Sequence, residues 1–382
     1  MNHGVLACGA GLLTDPPPWG DGKADPEVRT TSTVKMKAIL SQLLAGQALS
    51  ETQAQETFDR IMSAESNPAQ LGAFLALLAV RPPTVEELVG AARAMRRYVR
   101  AVRAPANVID TCGTGGAQSR LFNISTAAAI VAAACGIPVA KHGNRAVTSR
   151  CGSADVLRAL GVAVSDDPAT PERCLRQAGI GFCFAPCHHP AMARAAPVRQ
   201  ALGFATIFNW MGPLTNPAGA RRQVAGVPRP DRVATLLHTL IRLNAERAMV
   251  VCGTDPEEGY LCELSLGGPT TVGQFATGNV RMFEFHPADA GLKPASVRSC
   301  RVDSAEQSAA IIRRVFDGEP GPARDLVLLN AAAALWAAGR VDDLRAGLPL
   351  AATALDSGQA VATLQKLITA SQPQPVSGTA DI

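Results

Sequence analysis

The stretch from Asp110 to Gly161, DTCGTGGAQSRLFNISTAAAIVAAACGIPVAKHGNRAVTSRCGSADVLRALG, most narrows what this chain can fold into. Val108 to Thr111 reads as the end of a short buried strand. Gly113, Gly115 and Gly116 follow at once, so the chain can turn sharply and bring backbone N–H groups close to a ligand. Asn123, Ser125 and Thr126 stand just ahead of the alanine-rich run Ala127 to Cys135, where a helix is expected to begin with unpaired amides and a partly positive end. Phosphate binds well at such an end. A second strand, Ile137 to Ala140, delivers Lys141, His142, Gly143, Asn144 and Arg145 at its C-terminal end, and Ser153 with Asp155 opens another helix. Taken singly, GTGG is also compatible with a plain turn and NIST with a plain helix cap. Together, with two added cations, they lie where open α/β sheets bind ligands.

The rest of the chain supplies a setting for that stretch. From Met36 to Arg100 the pattern is helical: Ser50 with Gln53 and Thr84 with Glu87 form capping-box pairs, and Asn67 precedes an apolar run. After Pro105 short apolar runs alternate with helices, with Ile180 to Ala185 and Ala248 to Cys252 as further strands. The expected fold is therefore α/β, a small helical N-terminal domain with a larger domain of mostly parallel sheet covered by helices. The expected divisions are 1–33, an extension without ordered structure, 34–104, helical, and 105–382, α/β. Hydrophobic residues make up 47% and aromatic residues only 4%, so alanine, leucine and valine must do most of the packing.

Charge and cysteine usage limit the partners. The net charge of +4 is mild and spread along the chain, which argues against nucleic acid or a membrane surface. Arg93, Arg96, Arg97, Arg100 and Arg103 read as a solvated helix face, since only Tyr98 interleaves them. Ten cysteines without paired spacing fit a reduced, cytoplasmic setting. Cys183, Cys187, His188 and His189 are a possible soft-metal set, disfavoured because Cys183 lies in an apolar strand-like run. No apolar run reaches the roughly 20 residues a bilayer requires.

GTGG, FNIST, KHGNR and GSAD, in this order and spacing, resemble the anthranilate phosphoribosyltransferases. HPAM (His189 to Met192), APVR (Ala196 to Arg199), TIFNWMGPLTNPA (Thr206 to Ala218) and RDLVLLNAAAAL (Arg324 to Leu335) agree, from about Met36 onward. The resemblance implies transfer of a phosphoribosyl group from phosphoribosyl pyrophosphate to anthranilate, with Mg2+ as cofactor and a homodimer formed through the helical domain. It also implies that a helix over 189–202 packs with that domain, so that about 187–203 joins 34–104. On the donor it would place Gly113, Gly116, Asn123, Ile124, Ser125, Thr126, Lys141, His142, Gly143, Asn144, Arg145, Ser149 and Ser153. Anthranilate contacts would be Gly113, Asn144, His189 and Arg199, and the magnesium ligands Ser125 and Glu263. His142 and His189 also have plain packing and capping readings.

The chain departs from the family pattern at acidic positions. GTGGDG is here GTGGAQ, with Ala117 and Gln118; Leu121 stands where threonine is common, and the Asp-Glu pair is Cys262-Glu263. Magnesium needs hard oxygen ligands, so Cys262 puts a second metal in doubt. Glu257 or Glu258 in the preceding loop is the candidate replacement, and a strand reading of that segment would turn Cys262 inward with Leu264 and Leu266. A non-catalytic or nucleic-acid-binding relative and a pyrimidine nucleoside phosphorylase are the rival readings.

Overall fold

The computed structural model describes residues 35–63, 67–116, 119–145 and 151–373. The extension expected at 1–33, and the positions Ala117, Gln118 and Ser149, lie outside them. Four helices come first: α1 (Met36–Leu44), α2 (Glu51–Met62), α3 (Pro68–Ala79) and α4 (Val85–Arg96). Both capping boxes form, at Ser50/Gln53 and Thr84/Glu87, and Asn67 caps α3 through Ala69 N–H. Edge-on contacts of Phe58 with Phe74 (5.7 Å) and Phe208 (5.5 Å) tie these helices to a much later segment.

An eight-stranded sheet follows: β1 (Ile109–Asp110), β2 (Val139–Gly143), β3 (Ile180–Phe184), β4 (Arg222–Gly226), β5 (Arg247–Asp255), β6 (Gly259–Leu261), β7 (Thr270–Ala276) and β8 (Asn279–Phe285). Its order is β3-β2-β1-β4-β5-β7-β8, with β6 on β5. The first five are parallel and β6, β7 and β8 antiparallel. Successive connections from β1 run outward in one direction through β2 and β3, then restart on its other side at β4. The loop after β1 therefore lies at the switch point where doubly wound sheets open a crevice.

Two cores cover the two sheet faces. One gathers α5 (Ile124–Ala134), α6 (Ser153–Ala159), α7 (Thr170–Ala178) and the C-terminal helices, including Pro322–Ala337. The other gathers α1 to α4, the helix Val233–Arg242 and the mid-chain residues Ile207, Phe208, Trp210, Met211 and Leu214. Mid-chain residues thus complete the helical layer. The helix expected over 189–202 is broken into a 3-10 turn, Pro190–Arg194, and a short helix, Ala196–Leu202; prolines at the start of each piece lack the N–H a continuous helix would need.

Most of the arginine row is the exposed face its composition suggests, laced with ion pairs: Arg93, Arg97, Arg100 and Arg103 are exposed. Arg93 pairs with Glu51, Arg97 with Asp59 and Arg103 with Glu172. Arg96 is the exception, half-buried, its Nε donating to Leu214 O at 2.8 Å, and desolvation lowers its pKa to about 10. Among the described residues no helix is long and apolar enough to cross a membrane.

Candidate active site

The site begins where β1 ends. Gly115 and Gly116 adopt φ +67° and +84°, in the left-handed region that a β-carbon disfavours, and so let the loop double back over the sheet. Thr114 N–H donates to Gly226 O at 2.8 Å, pinning the loop to the end of β4. Gly226 has no room for a side chain, because a Cβ there would lie 1.7 Å from Cys262 O. β1, β4 and the segment after β6 are thereby locked together around the loop.

α5 starts at Ile124, with Asn123 as its cap. The Asn123 side chain accepts from Thr126 N–H at 3.1 Å. Ser125 and Thr126 therefore sit inside the first turn rather than ahead of it. β2 runs on to Gly143 instead of ending at Ala140, so Lys141 and His142 are strand residues and point to opposite faces. Lys141 Nζ donates to Thr111 O (3.1 Å), Thr111 Oγ1 (3.3 Å) and Ser125 Oγ (3.3 Å), on the side of α5. His142 Nδ1 donates to Gly212 O (2.8 Å), and its Nε2 faces His189 Nε2 at 3.2 Å, on the helical side. One strand end thus serves two faces.

A buried polar network holds this strand end. Asp110 Oδ1 accepts from His142 N–H (3.1 Å), and Oδ2 from Asn216 Nδ2 (2.7 Å), which also donates to Ala140 O (2.8 Å). Burial raises the Asp110 pKa to about 6, opposed by Lys141 and these hydrogen bonds. Burial also lowers Lys141, opposed by Asp110, Cys112 and Glu263, and takes His142 down to about 4 and His189 well below its usual value. Both imidazoles are neutral at pH 7. Asp110 and Asn216 were not singled out from sequence; the available signals were a carboxylate ending an apolar run and the asparagine inside GPLTNPA.

The remaining assigned residues surround this core. Ser153 opens α6, and its Oγ lies where a Cβ on Gly143 would fall, 2.2 Å away. Asn144 O accepts from Ala154 N–H (3.2 Å), and the Arg145 guanidinium lies 5.5 Å from the Phe184 ring centroid. Arg199 stands 5.3 Å from the Phe208 ring centroid, with no ion pair or side-chain hydrogen bond to a described residue; burial lowers its pKa. The Glu263 carboxyl likewise has no hydrogen bond to a described residue. Burial raises its pKa to about 7, with Lys141 opposing.

The other cation-site ideas fare differently. Cys187 Sγ bonds Asp166 O (2.9 Å), His188 bonds Arg100 O (2.8 Å) and His189 meets His142, while Cys183 is buried within β3, so these four side chains serve separate neighbours. Asp110, Cys112 and His142 bring ligand atoms within 4.8 Å of one another, but hydrogen bonds commit Asp110 and His142, and burial keeps the Cys112 thiol protonated. Cys262 and Glu263 lie in a bend, not a strand; Cys262 is half-buried, its Sγ 3.9 Å from Gly115 O. Glu258 pairs with Arg301 and accepts from Arg120 N–H (2.9 Å), and Glu257 pairs with Arg301 at 3.4 Å. Both carboxylates of that loop are thus paired with Arg301.

Known proteins place this architecture. Residues 105–361 match the family model described as glycosyl transferase family, a/b domain, and residues 37–99 the one described as glycosyl transferase family, helical bundle domain. An anthranilate phosphoribosyltransferase of Azospirillum brasilense is 50% identical over 333 residues, 87% of this chain and 92% of that protein. The crystal structure of the Thermus thermophilus anthranilate phosphoribosyltransferase superposes with a TM-score of 0.80 at 40% identity, covering 87% of this chain and 98% of that one. The Saccharomyces cerevisiae enzyme in complex with PRPP and Mg gives a TM-score of 0.79 at 25% identity, covering 88% and 97%. The chain belongs to the anthranilate phosphoribosyltransferases, a branch of the glycosyl transferase family whose two domains it carries.

Proposed function

We propose that this chain transfers the phosphoribosyl group of phosphoribosyl pyrophosphate to the amine of anthranilate, releasing pyrophosphate and giving N-(5-phosphoribosyl)anthranilate in tryptophan biosynthesis. The observation that carries this reading is the division of labour along β2. Lys141 turns toward Thr111 and Ser125 at the start of α5, and His142 turns toward Gly212 and His189. The donor phosphates take the first side and the aromatic acceptor the second.

The chemistry asks little of a base and much of electrostatics. Ribose C1 becomes cationic as a multiply anionic group leaves, so fixed donors around that group lower the barrier. Gly113, Gly116, the Ser125 amide, Lys141 and the segment Gly143 to Arg145 supply them, whereas the amides of Asn123, Ile124, Thr126 and His142 already donate within the fold and position that segment. An aryl amine is neutral at pH 7 and needs no strong base. On the acceptor side His142 and His189 stay neutral, which leaves Arg199 to take the carboxylate through its planar fork. Gly113 and Asn144 complete that pocket. Ser125 and Glu263 fit a magnesium ion: Glu263 is a half-buried carboxyl without a hydrogen-bond donor among the described residues, and Ser125 Oγ shares the Lys141 side of the strand. When bound, magnesium neutralises pyrophosphate charge.

The direct test is loss of anthranilate fluorescence when enzyme, phosphoribosyl pyrophosphate and Mg2+ are combined; none at high enzyme concentration would favour a non-catalytic relative. Arg199→Ala is expected to raise the KM for anthranilate roughly 30-fold, about 2 kcal/mol of charge-assisted pairing, and to leave donor binding unchanged. Normal anthranilate affinity in that variant removes Arg199 from the acceptor site. We also propose a cytoplasmic homodimer through the helical layer, where Leu44 and Val80 are 72% and 83% exposed at the ends of α1 and α3. Sedimentation is expected to give twice the 39.7 kDa chain mass, and a monomer at micromolar concentration contradicts it.

A further inference from the structure

The carboxylate assigned to magnesium stands on a segment without secondary structure of its own. Cys262 to Ser265 follow β6 outside every helix and strand, and buried backbone in that position must find its hydrogen bonds elsewhere. Leu264 finds both in one side chain. Its N–H donates to Asn330 Oδ1 at 3.1 Å, and its carbonyl accepts from Asn330 Nδ2 at 3.1 Å. Nδ2 also donates to Leu326 O, 2.9 Å away. A side-chain amide offers an uncharged donor and an uncharged acceptor side by side, so Asn330 does for Leu264 what a neighbouring strand would do.

The support behind that amide is rigid. Asn330 is 6% exposed in the helix Pro322–Ala337, which is buried from Leu326 onward. This helix packs against α5, whose first turn carries Ser125, the other residue assigned to magnesium. The sheet meets the same segment closely. A Cβ on Gly253 of β5 would lie 2.4 Å from Glu263 O and 3.0 Å from Ser265 Cβ, and Ser265 N–H donates to Thr270 Oγ1 at 3.2 Å. Backbone on both sides of the Glu263 side chain is thus fixed, while its carboxyl has no hydrogen bond to a described residue. The backbone alone sets where that carboxyl lies.

We propose that Asn330 is a positioning residue for the reaction: its amide fixes the backbone at Leu264 so that the Glu263 carboxylate is aimed before metal and donor arrive. This rests on the assignment of Glu263 to magnesium and goes beyond it by naming what holds the carboxylate in place. Removing such a support leaves the ligand present but loosely placed, which typically weakens metal binding roughly 10–100-fold.

The test is calorimetric titration of phosphoribosyl pyrophosphate into the full chain without anthranilate, in EDTA and at stepped free Mg2+. Wild type is expected to bind the donor more tightly as Mg2+ rises, and Glu263→Gln to lose most of that gain. Asn330→Leu keeps the ligand but not its support; its half-saturating Mg2+ is expected to rise at least about tenfold, with affinity in EDTA within about twofold of wild type. Gly253→Ala, which presses on Glu263 O from β5, should shift Mg2+ in the same direction. Glu87→Gln, a buried substitution in the helical layer, should lower the melting temperature without that shift. Melting curves accompany each variant. Should Asn330→Leu fail to fold, Asn330→Ser, which keeps a single hydroxyl, and Gly253→Ala carry the comparison. A wild-type Mg2+ response in Asn330→Leu beside a lost one in Glu263→Gln overturns the positioning role alone. A wild-type response in Glu263→Gln removes the ligand and the inference together. A loss in EDTA as large as the loss in Mg2+, or an equal shift in Glu87→Gln, marks Asn330 as a support of the fold only and also overturns it. If the Mg2+ response depends on Asn330 but no anthranilate is ever consumed, the positioning role stands and the acceptor assignment falls.

Discussion

Lys141→Met is expected to lower kcat/KM for phosphoribosyl pyrophosphate by about 10³-fold while leaving the chain folded. Lys141 is 3% exposed and its ammonium is held by Thr111 and Ser125, so it is already aimed at the proposed donor side and needs no reorganisation when the substrate arrives. Losing a buried charge that pairs with substrate costs roughly 2–5 kcal/mol, and about 4 kcal/mol corresponds to three powers of ten. Folding survives because of Asp110. That carboxyl already sits at about 6, with Lys141 among the groups holding it down, and without the lysine it takes up a proton and the network stays uncharged. Adding Asp110→Asn to Lys141→Met should therefore change stability little and restore no activity. If Lys141→Met retains wild-type donor KM and kcat, the division of β2 into donor and acceptor faces is wrong.

Glu87→Gln is expected to destabilise the fold by about 3–5 kcal/mol without touching the chemistry. The Glu87 side chain is 1% exposed, yet it is bonded on every side: Arg81 grips it at 2.6 and 2.8 Å, Leu49 N–H donates at 3.0 Å and Thr84 N–H at 2.9 Å. An amide satisfies only part of this set and leaves Arg81 uncompensated, the costly way to break a buried pair. The pH dependence follows from the carboxyl. Burial pushes its pKa up, but Arg81 and the two amides outweigh burial and the result lies below 4.5. The unfolded chain therefore binds this proton more readily, so the stabilisation is present above about pH 4.5 and is lost as pH falls through the folded value. Denaturant midpoints from pH 7 to 3 should fall less in the variant than in wild type. Parallel curves would show that Glu87 keeps its charge for nothing.

Features governed by local rules were legible in the sequence. Gly115 and Gly116 take up positive φ, Asn123 caps α5, and Ser50, Asn67 and Thr84 start helices where they should. What escaped depends on partners distant in sequence. β2 is expected to stop before Lys141 because lysine and histidine look like loop residues; pairing with Phe182 and Cys183 of β3, about 40 positions away, makes them strand residues. Arg96 looked solvated because Leu214, its partner, comes 118 residues later. β7 and β8 were unseen for another reason. β8 is exposed along most of its length, so little alternation marks it, and the two-residue turn is Thr277-Gly278, not the usual Asn-Gly, with Thr277 forced to φ +51°. Candidate site residues were easier to name than their supports, since the candidates stand in short contiguous segments and supports are drawn from anywhere.

The aromatic contact between Phe58 and Phe208 bears on how the protein is made. Helices α1 to α4 leave the ribosome with their packing partners Ile207 to Leu214 and Val233 to Leu243 still unsynthesised. At about 5–20 residues per second, the roughly 120 residues from Arg96 to Leu214 take about 6–24 s to appear. For that interval Phe58, Phe74 and their neighbours have no lid, so the nascent chain presents an apolar surface to chaperones. The N-terminal helices should then become protease-resistant only once translation has passed the 207–243 region.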